Sequence, residues 1–536
     1  MSQTDTAAAA TPTESDTDPI HSRGFGSLSV AAILSESARR YPDRPAIIMG
    51  ETVTSYSELC SQALAYGGAL RARGIGRGDR VAMLVPNVTD FPRVYYAILA
   101  LGAIAVPIHS LLKGEEIDYI LRDSGANLIV VAAPLLAEGG KGAAIAGVPA
   151  VTVLVPDAML DQVPFPRLED EAKVATPLER YESVGPLDAA TILYTSGTTG
   201  RPKGAVGSHL ALVEQVNTAL IDSFDMREDD ILFGGLPLFH TFGQSSVMNV
   251  GFRRGACILL IPRFDPDDVL AQMVKNRCTL FAGVPTMFIA LLDAASRSEE
   301  RPPLRFCISG GAPIPLAILS KFEQVFHAPV HEGYGLTETS PTIAFNHTRD
   351  EPVAGTVGRP IWGVDVEIAN ADIDDRIEFL PHGELGEVVT RGHALFKGYL
   401  NNDEANRQAV VDGWFRTGDL GTKGDDDRIT IVDRKKDMIV RNGYNVYPTE
   451  VENVIAQLDG VGQVAVFGVP HETHGQEVVA AVVRAPGSTL TEDEVIAYAK
   501  EHEAAYKYPR RVVFVDAMPL GASGKVLKRE LQATWS

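Results

Sequence analysis

Between positions 194 and 204 the chain reads Tyr194-Thr195-Ser196-Gly197-Thr198-Thr199-Gly200-Arg201-Pro202-Lys203-Gly204. Three glycines, four Ser/Thr hydroxyls and one lysine fall in eleven positions, directly after the apolar Thr191–Leu193. Glycines let backbone N–H groups converge on an anion, hydroxyls add donors, and lysine adds a full charge. The segment therefore reads as a phosphate cradle at the end of a strand. It is not a Walker A loop, because Lys203 is followed by Gly204 and the glycine spacing differs from GxxxxGK[ST].

The flanking sequence alternates strand and helix signals. Ala46–Met49 is a short apolar run, and Ser55 with Glu58 forms a capping box that opens a helix toward Arg73. Val81–Val85, Ala103–Ile108 and Leu128–Ala132 read as strands, with helices at Phe91–Leu101 and Glu115–Asp123 between them. Strands separated by helix-length segments predict a parallel sheet covered on both faces. Leu232–Leu236, Cys257–Ile261, Leu280–Ala282 and Arg305–Ile308 predict a second unit of the same style. From Asp365 to Val389 the texture turns to short strands and turns such as Pro381-His382-Gly383, a small β-rich unit. At roughly 150 residues per domain, 536 residues predict about three or four structural units.

Composition narrows the function. The chain is 45% hydrophobic and 22% charged, enough to bury large cores, and carries a net charge of −21. That acidity argues against nonspecific binding to nucleic acid or to an anionic membrane. The deficit is uneven, since the residues from Arg434 onward hold 12 basic and 13 acidic groups, and a nearly neutral module beside an acidic body can admit an anionic substrate between them. Four scattered cysteines without a CxxC pair argue against disulfides or structural zinc and fit a cytoplasmic protein. The best apolar run, Leu128–Ala137, is about half the roughly twenty residues that a membrane span needs. Residues 1–24, rich in Ala, Thr, Ser and Asp at their start, read as a disordered leader.

With its neighbours in order, the cradle resembles the phosphate-binding signature of the adenylate-forming superfamily, in the acyl-CoA synthetase branch. TSGTTGRPKG is followed by Leu236–His240 (LPLFH), Ser309–Pro313 (SGGAP), His331–Pro341 (HEGYGLTETSP), Gly413–Gly421 (GWFRTGDLG), Asp433–Glu452 (DRKKDMIVRNGYNVYPTEVE) and Gly524–Leu531 (GKVLKREL). The resemblance spans about residues 28–532 and implies an α/β fold. It implies a large N-terminal domain, 25–433, made of two α/β subdomains and a small β-rich one. A small mobile α+β domain, 434–536, would follow and carry a catalytic lysine. The implied reaction has two halves: a carboxylate attacks the α-phosphate of ATP to give acyl-AMP and pyrophosphate, and the thiol of CoA then displaces AMP.

The residue roles that follow come from the resemblance. Pyrophosphate would be neutralised by Thr195, Ser196, Gly197, Thr198, Thr199, Gly200 and Lys203, and Mg²⁺ held by Thr195 and Glu338. Adenine and α-phosphate would lie along Gly310, Gly311, Ala312 and Pro313 and along His331, Glu332, Gly333, Tyr334 and Gly335, with Thr337 offering a hydroxyl. Asp419 would accept both ribose hydroxyls and Arg434 would contact the ribose. Lys525 would bridge the acid and the α-phosphate, stabilising charge in the adenylation transition state. His240 is placed beside the acyl and thiol channel, Lys436 at the hinge, and Gly443 at the pantetheine tunnel.

The pocket around His240, Phe242, Gly310 and Gly333–Gly335 has no aspartate for an α-amine, which argues against amino-acid activation. The apolar Phe281–Val284 and Met287–Leu292 point to a medium- or long-chain fatty acid or a similarly apolar acid. An aryl-CoA ligase differs only in pocket shape. An acyl-AMP ligase serving a carrier protein or an amine is the other alternative, though Gly398–Arg434 shows no extra insertion, and the eleven residues after Lys525 leave no room for a carrier domain. A non-catalytic relative would have lost catalytic residues, whereas Thr195, Lys203, Glu338, Asp419 and Lys525 all stand. Self-association is left open.

Overall fold

Val81, Ala82, Met83 and Leu84 are all buried, as are all five residues of Leu128–Ala132. A strand without a solvent face belongs inside a sheet covered on both sides. The computed structural model describes residues 28–195, 201–471, 473–521 and 525–536, and the leader read at 1–24 lies outside them. It places these two strands in a six-stranded sheet with the order 150–153, 128–132, 80–84, 104–107, 189–195, 203–208. The first five strands run parallel, and the last turns back antiparallel. That final hairpin sets Thr195 opposite Lys203, so the two ends of the cradle are side by side whatever lies between them.

The second sheet has nine strands, and its parallel core comprises Ile231–Gly234, Cys257–Leu260, Leu280–Gly283, Phe306–Ser309 and Val330–Gly335. One expectation changes here. The run Pro45–Met49 joins this second sheet, pairing parallel with Cys257–Leu260, and not the sheet of its sequence neighbours. Local side chains give the reason. Tyr56, which opens the next helix, is fully buried against Phe252 and donates its hydroxyl to the Ala256 carbonyl at 2.6 Å. The capping box on that helix forms as read, with Ser55 accepting from the Glu58 N–H and Glu58 accepting from the Ser55 N–H.

The aromatic core under the second sheet produces another correction. Phe281 lies 5.0 Å from Phe233, 4.9 Å from Phe288 and 5.9 Å from Phe322, all buried, with Leu291 and Leu292 beside them. Each such ring pair contributes about 0.5–1.5 kcal/mol beyond its buried area. These side chains fill the interior between sheet and helices, so their apolar character says nothing about the substrate.

The β-rich unit is an antiparallel sheet of Val364–Ala369, Gly386–Gly392, Trp414–Lys423, Val410–Val411 and Ile429–Arg434. A last sheet, built from Ile439–Arg441, Tyr444–Val446, Val461–His471, Gly475–Arg484 and Arg511–Phe514, carries helices Pro448–Ile455, Glu492–His502 and Lys528–Trp535. Asp433 ties the two units together: one carboxylate oxygen accepts from the Arg434 N–H and the other from the Thr449 N–H, at 2.7 and 2.8 Å. Among the described residues no helix is long and apolar enough to cross a membrane.

Candidate active site

In parallel α/β sheets, ligands gather at the carboxyl ends of the strands. Here Gly283, Ser309 and Glu332 are in register at those ends, and the chain leaves them through Gly310-Gly311 and Gly333–Gly335. Glycine is required at two of these positions. Gly311 sits at φ +84°, and a Cβ on Gly335 would fall 1.7 Å from the Pro341 carbonyl oxygen. Above Gly310 lies the Phe242 ring, 3.2 Å from where a Cβ would be. Phe242 opens a π-helical stretch, Phe242–Asn249, that follows directly on His240-Thr241.

Two ion-and-hydroxyl pairs face this glycine shelf. Tyr334 donates its hydroxyl to Asp419 Oδ2 at 2.6 Å, while Arg434 Nε stands 3.4 Å from Asp419 Oδ1. Burial pushes the Asp419 pKa up, opposed by Arg434. The pairing across the sheet explains the placement, since Asp419 and Arg434 are directly opposed on adjacent antiparallel strands. In the second pair, buried Glu338 accepts a 2.8 Å hydrogen bond at Oε1 from Tyr399, and the Lys203 ammonium stands 5.1 Å above the Tyr399 ring. Thr195, Lys203, Tyr399 and Glu338 are thus linked stepwise, hairpin partner to ring to carboxylate.

Lys525 arrives from the last domain. Its Cε lies 3.6 Å from the position of a Cβ on Gly311, which places its ammonium end over the glycine shelf. Burial, then the neighbouring Arg434 charge, lowers its pKa to about 8, with Asp419 and Glu338 opposing. His240 feels the same lysine: burial first, then Lys525, holds its pKa at about 4. Its Nδ1 accepts from the Phe242 N–H at 3.3 Å, so the neutral ring carries its proton on Nε2. A site on a protein of net charge −21 therefore collects Lys203, Arg434 and Lys525 around two carboxylates. Such a local excess of positive charge suits a polyphosphate.

The other expected residues differ in their surroundings. His331 is buried, with Nδ1 against the Asn346 carbonyl at 3.0 Å and its ring beside Phe345, which makes it a core residue. Glu332 is also buried; one carboxylate oxygen has no partner, and burial pushes its pKa up to about 7. Lys436 is exposed just beyond the strand that ends at Arg434. Gly443 lies in the turn of the hairpin 439–446, with nothing within 4 Å of a Cβ there, and the N–H of its neighbour Asn442 donates to the His474 carbonyl. Ser196–Gly200 lie outside the described residues. Pro313 and Ala312 continue the shelf beyond Gly311, and Thr337 opens the short 3₁₀ turn that carries Glu338. Tyr399 escapes sequence reading, because a tyrosine in FKGYLNN offers no local signal of the carboxylate it meets 61 positions away.

Known proteins match this architecture along most of the chain. The AMP-binding enzyme family matches residues 34–400, and its C-terminal domain matches residues 450–525. A long-chain-fatty-acid–CoA ligase of Mycobacterium tuberculosis, FadD13, is 35% identical, with 90% of this chain and 93% of that protein covered. A feruloyl-CoA synthase of Amycolatopsis is also 35% identical, over 96% of this chain and 99% of that one. The crystal structure of ATP-bound MatB from Rhodopseudomonas palustris superposes with a TM-score of 0.86 at 32% identity, covering 95% and 99% of the two chains. The apo crystal structure of the same MatB gives 0.74. The chain belongs to the AMP-binding enzyme family, as an AMP-forming acid–thiol ligase of its acyl-CoA synthetase branch.

Proposed function

We propose that the protein activates an apolar carboxylic acid with ATP, at the shelf between Tyr334–Asp419 and Glu338–Tyr399, and passes the acyl group to CoA. One observation carries the site assignment: Lys525, from the last domain, reaches over Gly311 on the glycine shelf, within electrostatic range of Asp419, Glu338 and His240. An acid oxygen attacks the α-phosphorus, the bond to the bridging oxygen breaks, and pyrophosphate leaves. Lys525 is positioned to hold negative charge on both reactants as they approach. In the second half the CoA sulfur attacks the acyl carbon, the bond from that carbon to the phosphate oxygen breaks so that AMP leaves with the electron pair, and the thiol proton passes to solvent.

The other roles follow from position. Asp419 accepts the ribose hydroxyls and Arg434 keeps that carboxylate charged. Thr195 and Glu338 form an all-oxygen donor set, the hard kind that Mg²⁺ takes while keeping waters. Bound there, Mg²⁺ supplies neutralising charge to the phosphates. The boundary between the two domains is drawn at 433/434, with Lys436 as the hinge. A reducing cytoplasm agrees with four free cysteines, three of them buried.

Long-chain acids are supported by the name of the mycobacterial relative. A second reading, an aryl acid, is favoured by the Phe242 ring on Gly310, which would stack on a flat substrate, and by the feruloyl-CoA synthase. Pyrophosphate release with ATP and Mg²⁺ is measured over C2 to C18, branched and aromatic acids, with and without CoA. CoA-dependent turnover on one class confirms the ligase and its acid. Release without CoA stimulation moves the acceptor to a carrier protein or an amine.

The lysine also sets a pH dependence. It must be charged to act, so adenylation kcat/KM for ATP stays level below about pH 8 and falls above it, about tenfold per pH unit. The phosphates of bound ATP favour the charged form, so the corresponding limb of kcat lies at higher pH. A pH–rate profile with the same limb in both parameters would contradict this.

A further inference from the structure

We infer that Tyr399 is a positioning residue for the divalent cation, acting through Glu338; the inference rests on the proposed metal role of Glu338. A buried carboxylate has several lone pairs and a rotating plane, and a ligand is useful only when that plane is fixed. Tyr399 fixes it with one hydroxyl, donated to Oε1 at 2.8 Å. The Phe396 N–H holds the backbone carbonyl of the same Glu338, also at 2.8 Å, so the residue is pinned at both ends by one short segment. That segment is itself anchored. The Leu400 N–H donates to Gly204, the Lys397 N–H donates to Val206, and Asn406 bonds to both backbone groups of Tyr399.

The same ring carries a second partner. Lys203, the far end of the phosphate cradle, stands over its face at 5.1 Å. One side chain therefore touches both a cation that would meet the phosphates and the carboxylate that would meet the metal. An electrostatic contact from ring to ammonium and a hydrogen bond from hydroxyl to carboxylate use separate parts of the tyrosine, so they can be removed separately. Outer partners of this kind commonly set metal affinity within 10- to 100-fold.

The test reads metal binding directly. Mn²⁺ is titrated into the full-length enzyme with α,β-methylene-ATP, and free Mn²⁺ is followed by electron paramagnetic resonance. Tyr399→Phe keeps the ring, its packing 4.9 Å from Phe396 and the seat of Lys203, so it melts near the wild-type temperature. We expect it to weaken Mn²⁺ about tenfold, within the range for outer-shell partners. Glu338→Gln should weaken Mn²⁺ at least as much, and the double variant no more than Glu338→Gln alone. Wild-type Mn²⁺ affinity in Tyr399→Phe, or losses that multiply in the double variant, would overturn the role of Tyr399 while leaving Glu338 as ligand. Wild-type affinity in Glu338→Gln would instead overturn the metal reading beneath it.

Discussion

Lys525→Ala lowers acid-dependent pyrophosphate release by about 10²–10³-fold while the protein still forms thioester from supplied acyl-AMP and CoA. The expectation comes from where the side chain sits. Its aliphatic stem runs over Gly311 and its charge interacts with Asp419, Glu338 and His240. An ammonium placed there is worth most when two anions are forced together, which happens only in the first half-reaction. Once acyl-AMP exists, the leaving group needs no such bridge. Stopped-flow measurement of each half-reaction separates the cases, and equal losses in both would refute the assignment. Loss of fold is a lesser concern, because the lysine is half-buried and its stem lies over a glycine.

Gly443→Leu is expected to do the reverse, sparing pyrophosphate release and cutting thioester formation by about 10²-fold. Gly443 closes the hairpin turn with Asn442, at φ +79° and +53°, the pairing of positive angles that Asn-Gly turns adopt. In the arrangement described, a side chain there meets nothing within 4 Å, so the first half-reaction is left alone. The backbone strain is roughly 1–2 kcal/mol, borne by an exposed hairpin. If the small domain rotates to bring this turn to the acyl group, a leucine would obstruct the thiol path. A variant in which both halves fall together would argue that the turn never enters the cleft.

The residues proposed for the site are legible in the sequence because they lie in short, ordered motifs whose residue types match phosphate and ribose chemistry. Local rules served where local physics governs. The capping box at Ser55–Glu58 and the buried strand Leu128–Ala132 came out as read. They failed where tertiary packing decides. Phe281 and Leu291 are apolar in either a pocket or a core, and only the rings around Phe322 show that they belong to the core. His331 sits inside a glycine-rich motif yet is buried, with Nδ1 on the Asn346 carbonyl and Nε2 without a partner. Tyr399 could not be found, because its meaning lies in a partner far away in sequence.

The strand Pro45–Met49 bears on how the chain reaches this structure. Its parallel partner is Cys257–Leu260, with Ile47 opposite Ile258, about 210 residues later. At a synthesis rate of roughly 5–20 residues per second, the strand waits on the order of 10–40 s for that partner. The six-stranded sheet, drawn wholly from residues 80–208, can assemble in the meantime. The helix Tyr56–Ala72 can already dock on Asp90–Ala100 during that interval. The hairpin of Pro45–Met49 and Thr52–Ser55 would then be held at the surface of a half-made molecule, its free edge exposed to aggregation and to chaperones until the second sheet emerges.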